Sequence, residues 1–475
     1  MKPLYESREF NNIKNNIENK KFPLAIYGLA DSGRTYLIDA LYEQYDKPIV
    51  IVTHSDMEAK NLYEDLSFYS TDVYYFPVRE VVFYNIDAIS GDLRWARLKV
   101  IKEMLNKKKK IIVTSVEAFA AGYTPRKFYE NHKINLKVSD EVDFNNIAKL
   151  LVEGGYERVE IVEGKGEFAL RGGILDVYPP DSLYPYRIEL FGDEIDSIRT
   201  FNTESQRSIE KVKTVKIFPA KEIIVDDESI KYANESLKNE LEKALQNNKD
   251  KETREKLTEI INRNLESLNN LSNFETIDSY LPFFYEKLET LFDYFKDYTF
   301  IIDDTSRVLG KVESTYSEFR ENFSMFLQKG NILPKHSELL IEYDKLIEQF
   351  ERCDLITLDP FAKVRDIFRP ISMANIKQLT LNNYQGQLEF LIEEINNKKS
   401  SGFRTLILSG TRTRGERLVD TLRDRGIESV YKDDVSDIQC GEVVITFGNL
   451  LRGFEYPNEK LCLISDKEVL KRLRL

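Results

Sequence analysis

The sequence is poor in the residues that build metal, redox and membrane sites. Its 475 residues include only three cysteines and three histidines, which are Cys353, Cys440, Cys462, His54, His132 and His336. They lie far apart, so no metal-ligand spacing is present, and a sparse, odd set of cysteines suits a reducing compartment. No apolar run approaches the ~18 residues of a membrane span, and the polar N-terminus carries no secretory signal. We therefore expect a cytoplasmic protein with neither a metal centre nor a membrane partner.

An excess of positive charge is also missing. The formal net charge is -12, so the chain as a whole is not attracted to nucleic-acid phosphates, and any such contact needs a local basic patch. Hydrophobic residues make up 42% of the sequence, which allows ordinary folded cores. The length suits roughly three domains.

Short apolar strands alternate with helical segments in the first part of the chain. The predicted strands cover residues 23–27, 48–53, 73–77 and 111–115. Strands that alternate with helices are typical of an open, parallel α/β sheet.

A glycine loop follows the first of these strands. Its letters, GLADSGRT, have the spacing of a phosphate-binding loop, with Gly28, Gly33 and Thr35 in the expected places. Arg34, however, stands where such loops have lysine, and a planar guanidinium does not replace a compact ammonium on the phosphates. Asp31 adds a charge that repels phosphate. We interpret the loop as a degenerate phosphate loop; the alternatives are a loop that still binds nucleotide, or glycines that only permit the turn.

A later strand, over residues 298–304, ends in two acids, Asp303 and Asp304. In a nucleotide-hydrolysing sheet such a strand end holds Mg²⁺ and a glutamate that activates water. Because the second acid here is an aspartate, one methylene shorter, we interpret the pair as another relic. The alternative is an ATP-dependent DNA translocase, a helicase-like enzyme that uses residues 28–35.

Residues 154–198 form short runs in which apolar and polar side chains alternate, ended by Gly-Gly and Pro-Pro pairs. This pattern predicts a small antiparallel sheet with one wet face. We expect Arg158 and Arg171 on that face, which then resembles a recognition surface. The alternative is a pair of ordinary surface arginines that form ion pairs with Glu160 or Glu167.

The same stretch carries a resemblance to a known family. Its segments GYERV, GEFALRGGILDVYPP and RIELFGDEIDSIR, with LSGTRTRGERL and ITFGNLLRGFEYPNEKL near the end of the chain, resemble the transcription-repair coupling factors. They resemble the excision-repair subunit UvrB more distantly. The resemblance reaches about Lys467 and implies an N-terminal fragment, because that family continues into a polymerase-interacting domain and a translocase motor.

The resemblance implies a specific domain arrangement. A degenerate P-loop domain with a helicase-like parallel sheet takes up residues 1–122 and 213–350, and an inserted α+β domain takes up 123–212. A linker over 351–375 then leads to a small, separate α/β domain over 376–475.

The resemblance also implies a function. The inserted domain docks onto the excision-repair protein UvrA through Arg158 and Arg171, together with Phe168, whereas Ala169 stands where UvrB has a further arginine. The fragment is then a recruitment module that hydrolyses no nucleotide and needs no cofactor of its own. ATP and Mg²⁺ belong to the missing motor, and RNA polymerase and DNA are partners of the missing modules.

Overall fold

The computed structural model describes residues 3–79, 83, 91–106, 108–269, 277–363, 367–385 and 387–469. Its strands are β1 Leu24–Tyr27, β2 Ile49–Thr53, β3 Val73–Phe76, β4 Ile111–Ser115, β5 Ile134–Lys137, β6 Glu157–Arg158, β7 Glu167–Arg171, β8 Ile174–Val177, β9 Tyr186–Phe191, β10 Glu194–Phe201, β11 Ser208–Val212, β12 Thr214–Ile217, β13 Thr299–Asp303, β14 Asp354–Asp359, β15 Ser372–Asn375, β16 Leu379–Thr380, β17 Arg404–Ser409, β18 Val430–Tyr431, β19 Val443–Phe447, β20 Phe454–Tyr456 and β21 Leu461–Ile464.

The helices are α1 Arg8–Glu18, α2 Gly33–Gln44, α3 Asp56–Tyr69, α4 Gly91–Leu105, α5 Val116–Ala120, α6 Arg126–Asn131, α7 Phe144–Glu153, α8 Asp227–Asn247, α9 Lys251–Asn269, α10 Leu281–Phe284, α11 Leu291–Tyr294, α12 Thr305–Gln328, α13 Tyr343–Glu351, α14 Leu388–Ser400, α15 Arg412–Asp424 and α16 Asp466–Val469. Short 3-10 helices cover Pro3–Glu6, Ile277–Tyr280 and Pro334–Leu339. No helix among the described residues is long and apolar enough to cross a membrane.

The main sheet has seven strands in the order β15-β1-β14-β13-β2-β4-β3, all parallel. Its central strands are mostly apolar and buried, as in IVIVT of β2, because helices cover both faces of a parallel sheet. The helical hairpin of α8 and α9 packs its leucine and isoleucine stripe into the same hydrophobic core. The predicted α/β class with a parallel sheet is therefore confirmed.

The range 351–375, which we predicted to be a linker, contains two strands of this sheet. β14 and β15 both pair with β1, where Leu24 is the register partner of Ile356 on one side and of Ser372 on the other. This part of the chain therefore belongs to the sheet. The Phe-Arg-Pro sequence at 368–370 breaks the strand pattern shortly before β15, so this strand of four residues is not recognisable from the sequence.

The inserted unit is a six-stranded sheet in the order β11-β10-β9-β8-β7-β6, with a two-stranded sheet of β5 and β12 beside it. Its pairs are antiparallel except for β6 with β7, which are parallel. β12 lies beyond the predicted boundary at residue 212, and the Tyr156 hydroxyl donates to the Phe218 carbonyl at 2.7 Å. The unit thus extends to the end of β12 and a little further.

A buried ion pair attaches this unit to the main domain. Arg97 of α4 donates to both carboxylate oxygens of Glu222, from Nε at 2.7 Å and from Nη2 at 2.8 Å. The Glu222 carbonyl also accepts hydrogen bonds from the hydroxyls of Thr124 and Tyr129, at 2.7 and 2.6 Å. Because Thr124 lies in the segment that leads into the inserted unit and Glu222 in the segment that leads out of it, both of its connections are fixed at one point.

The last unit is a six-stranded sheet in the order β16-β20-β21-β17-β19-β18, with parallel pairs in its centre. One face forms its own core with α14 and α15. Leucines of its other face join the core of the main sheet, so this sheet is distinct from the main one but packs directly on it.

Candidate functional site

The inserted sheet has one core face and one polar face. Its core side includes Phe168, Leu175 and Ile188, which are fully buried. The alternate positions on neighbouring strands carry charged side chains, because side chains of successive residues point to opposite faces. The register places Ala169 opposite Asp176, and Asp176 opposite Arg187, on the polar side.

Arg171 ends β7 on this polar face. Its Nη2 donates to Oδ2 of Asp176 at 2.7 Å. The Arg171 side chain is 49% exposed, whereas that of Asp176 is 1% exposed. A buried carboxylate therefore holds one edge of the guanidinium, and the remainder faces solvent in a fixed orientation.

Arg187 shares the same carboxylate. It donates from Nε to Oδ1 of Asp176 at 2.7 Å and from Nη2 to Oδ2 at 2.8 Å, and it lies over the Phe201 ring at 4.5 Å. These hydrogen bonds raise the pKa of Arg187. Two cations share one carboxylate, so the group keeps one net positive charge. Our sequence prediction missed Arg187, although its place two strands from Arg171 in an alternating pattern was a usable signal.

An exposed aromatic side chain lies at the same end of the sheet. Phe191, 84% exposed, ends β9 just before Gly192, whose φ of 66° forms the tight turn into β10. The Leu190 N–H donates to the Gly173 carbonyl at 2.8 Å, which keeps this turn beside the turn after Arg171. Our prediction missed Phe191 as well; an aromatic residue placed directly before a Gly-Asp turn was the available signal.

The structure places Phe168 differently from our prediction. Its side chain has no exposed surface and packs in the core of the inserted unit. It cannot contact a partner while the sheet is folded, so the prediction of Phe168 as a contact residue is wrong. The alternation of buried and polar residues along β7 puts Phe168 and Arg171 on opposite faces.

Arg158 also differs from our prediction. It is exposed on the two-residue edge strand β6, where its register partner is Phe168 and not a residue of the polar face. Val159 instead packs with Ala169, in a small cluster on the polar side. The side chains of Arg158 and Arg171 therefore do not share one face. Glu167, a predicted ion-pair partner, accepts the N–H groups of Glu163 and Gly164 at 2.8 Å each.

The predicted phosphate loop lies at the carboxyl end of β1. Arg34 donates from Nη1 to both carboxylate oxygens of Asp303 at 2.7 Å and from Nη2 to Glu58. Burial raises the pKa of Asp303 to about 6, although the adjacent Arg34 opposes this shift. The guanidinium is thus committed to two carboxylates of its own chain. The Thr35 hydroxyl donates to the Ser32 carbonyl at 2.6 Å and is buried.

A side chain occupies the concave side of this loop. The Ala30 N–H donates to Oε1 of Gln378 at 2.9 Å, and Nε2 of Gln378 donates to the Ala30 carbonyl at 2.8 Å. A Cβ atom at Gly33 would lie 2.2 Å from the same Oε1. Asp304, in turn, has a φ of 57° and caps α12 by accepting the Arg307 N–H at 3.3 Å. These residues do not fit a magnesium-nucleotide complex.

Comparison with known proteins agrees with this architecture. A family model described as the UvrB interaction domain matches residues 134–223, which coincide with the inserted unit. The transcription-repair-coupling factor of Bacillus subtilis (strain 168) is 32% identical over 469 residues, which are 98% of this chain and 40% of that protein. The chain is homologous to part of the transcription-repair-coupling factors.

Staphylococcal coupling factors match over a similar range. Those of Staphylococcus epidermidis (strain RP62A) and Staphylococcus haemolyticus (strain JCSC1435) are 29% and 27% identical, over 94% of this chain and 38% of each protein. The resemblance that we found in the sequence is confirmed. The chain spans about two fifths of the length of these coupling factors.

Proposed function

We propose that the chain is the recruitment part of a transcription-repair-coupling factor, in which the inserted unit binds the excision-repair protein UvrA. The observation that carries the proposal is the coincidence of two features. The UvrB interaction domain match covers the inserted unit, and that unit presents Arg171 at a sheet end with one edge fixed by the buried Asp176.

Arg171 has the chemistry of an anchor for an acidic group. Arginine binds carboxylates through a planar fork with more than one donor, and a fork that is already oriented loses less entropy on binding. Phe191, before the neighbouring turn at the same end of the sheet, supplies an exposed apolar side chain that a partner can cover. A charged anchor beside an exposed aromatic residue is the composition of many interface hot spots.

In this proposal Arg158 lies at the β6 edge of the inserted unit, away from the polar face that carries Arg171. It is exposed on β6, on the opposite side of the sheet from Arg171. A partner that contacts both must wrap around the β6–β7 edge. A partner that lies flat on the polar face contacts Arg171 and leaves Arg158 in solvent.

We further propose that this part of the coupling factor hydrolyses no nucleotide. Arg34 is engaged by Asp303 and Glu58, and Gln378 occupies the loop. ATP and Mg²⁺, RNA polymerase and DNA are then ligands of the remaining part of the coupling factor. A translocase that works through residues 28–35 fits these contacts poorly, because it needs both the loop amides and a free cation.

Binding of purified UvrA to Arg171→Ala and Arg207→Ala variants tests the docking proposal. Arg207 is an exposed arginine in the turn between β10 and β11, at the opposite end of the same sheet, and serves as the matched control. We expect Arg171→Ala to weaken binding by ~2 kcal/mol or more, about thirtyfold, and Arg207→Ala to leave it within about twofold. Unchanged affinity of the Arg171→Ala variant contradicts the proposal.

A further inference from the structure

The degenerate loop keeps both of its glycines, and the structure shows what lies against them. A Cβ atom at Gly28 would lie 2.2 Å from the Ile376 carbonyl oxygen, and one at Gly33 would lie 2.2 Å from Oε1 of Gln378. Both neighbours come from the segment that leads from β15 to β16. The backbone contact and the φ of 89° require glycine at position 28, whereas a side chain at position 33 would displace the Gln378 carboxamide from the loop.

Gln378 forms a two-point contact with the loop. Its carboxamide accepts from the Ala30 N–H and donates to the Ala30 carbonyl, so the two backbone groups of one residue satisfy both of its ends. In a working phosphate loop, backbone N–H groups at this place point toward phosphate oxygens. The carboxamide oxygen of Gln378 takes the role that a phosphate oxygen has in such a loop.

The last unit adds backbone contacts around the same loop. The Arg452 N–H donates to the Ser32 hydroxyl at 3.0 Å, and the Leu451 N–H donates to Oδ1 of Asp65 at 2.7 Å. The Ser32 hydroxyl donates in turn to Oδ2 of Asp65 at 2.5 Å. Ser32 is buried, so these are interior hydrogen bonds of a joint between the two sheets.

Aromatic packing extends this joint along α2. The Tyr456 hydroxyl donates to the Gly33 carbonyl at 2.7 Å. The ring of Tyr36 lies 5.9 Å from that of Phe454 and 5.7 Å from that of Tyr456, measured between centroids. All three rings are buried, so the first helix after the loop and strand β20 share one core.

We propose that the loop from Gly28 to Thr35 is a protein-binding loop, whose ligand is the chain's own carboxamide at Gln378 and which fixes the last sheet on the main sheet. A nucleotide phosphate and Gln378 need the same backbone groups, so each excludes the other. This inference is independent of what the inserted unit binds.

Hydrogen exchange of the Gln378→Ala variant tests the joint. Loss of both hydrogen bonds is expected to speed exchange about tenfold or more in peptides that cover residues 28–35 and 450–456. Gln385→Ala is the matched control, because that carboxamide donates to the Lys467 carbonyl within the last unit. Gln378→Glu, which keeps the shape but cannot donate to Ala30, is expected to behave like Gln378→Ala. Unchanged exchange in both segments overturns the proposal.

Addition of millimolar magnesium-ADP tests the exclusion of phosphate. In the unmodified chain we expect no protection of residues 28–35. Protection of these residues with unchanged exchange at 450–456 overturns the proposal, since phosphate would then bind while Gln378 is in place. Protection accompanied by faster exchange at 450–456 supports it, because the two occupants would then replace each other.

Discussion

Two arginines of the inserted unit depend on one buried carboxylate. Asp176 accepts hydrogen bonds from Arg171 and from Arg187, and it carries a negative charge on a face that we propose to bind an acidic partner. Its charge therefore opposes binding, whereas its geometry orients the exposed anchor. These two effects have opposite signs, and a substitution can separate them.

We expect Asp176→Asn to weaken UvrA binding, by about tenfold, because an amide cannot hold two guanidinium groups and Arg171 loses its fixed orientation. Tighter binding would mean that charge outweighs orientation and would contradict our account. Glu189→Gln is the control, since Glu189 pairs with Arg199 on the same face and its loss removes one negative charge without affecting Arg171. Titration calorimetry with purified UvrA measures both variants.

Individual residues were predictable from the sequence where their neighbours in the chain decide their environment. Arg34 and Asp304 were recognised as departures from a nucleotide site from local spacing alone, and the structure pairs Arg34 with Asp303, the acid that precedes Asp304. The face occupied by Arg158 depends on how β6 aligns with β7, which its neighbours in the chain do not decide, whereas the burial of Phe168 follows from the alternation along β7. Gln378 could not be assigned to the loop because 348 residues separate it from Ala30.

At the scale of elements, α4 and the inserted unit are joined by Arg97 and Glu222, whose side chains are both almost fully buried. Replacing one partner of a buried ion pair leaves the other charge without compensation, which typically costs about 3–5 kcal/mol. We expect Arg97→Met or Glu222→Gln alone to loosen the inserted unit. The double variant is expected to recover part of the lost stability, because neither buried charge is then left without its partner.

The only tryptophan in the sequence lies at this junction and can report the effect. Trp95 is also in α4, and the Lys165 ammonium of the inserted unit lies 5.9 Å from its ring centroid. Tryptophan fluorescence during urea denaturation should change at lower urea in each single variant than in the parent. If the stability losses of the two single variants simply add in the double variant, a direct coupling of the two side chains is contradicted.

The elements themselves were only partly predictable. The helices α8 and α9 and the central strands follow from hydrophobic periodicity and buried apolar runs, and α8 begins at a capping box in which Asp226 and Ser229 exchange hydrogen bonds. β15 was not predicted, because the four residues SMAN have no strand pattern of their own. They form a strand because β1 offers a free edge beside them, which is a tertiary effect.

At the scale of the whole molecule, the main sheet serves as a platform with two attachments. Arg97 and Glu222 hold the inserted unit at one place, and the loop around Gly33 holds the last sheet at another. The loop joint contains the buried carboxyl group of Asp65. A second buried carboxyl group, that of Asp39, lies on α2 in the same core. The stability of this platform should therefore depend on pH.

Asp39 provides the clearest test of this dependence. Burial, with a smaller contribution from Glu43, raises its pKa to about 7. A carboxyl whose pKa is higher in the folded state than in the unfolded state favours folding while it is protonated, and this contribution is lost as the pH rises through the folded pKa. We expect Asp39→Asn to be more stable than the parent at pH 8, with an advantage about 2 kcal/mol larger there than at about pH 5.5.

The control is Asp46→Asn, at an exposed carboxylate just after the same helix, whose stability difference from the parent should not grow between the two pH values. Melting temperatures of the three proteins at both pH values test this prediction. An advantage of Asp39→Asn that is the same at about pH 5.5 and at pH 8 would contradict it, because Asp39 would then be ionised over this whole range.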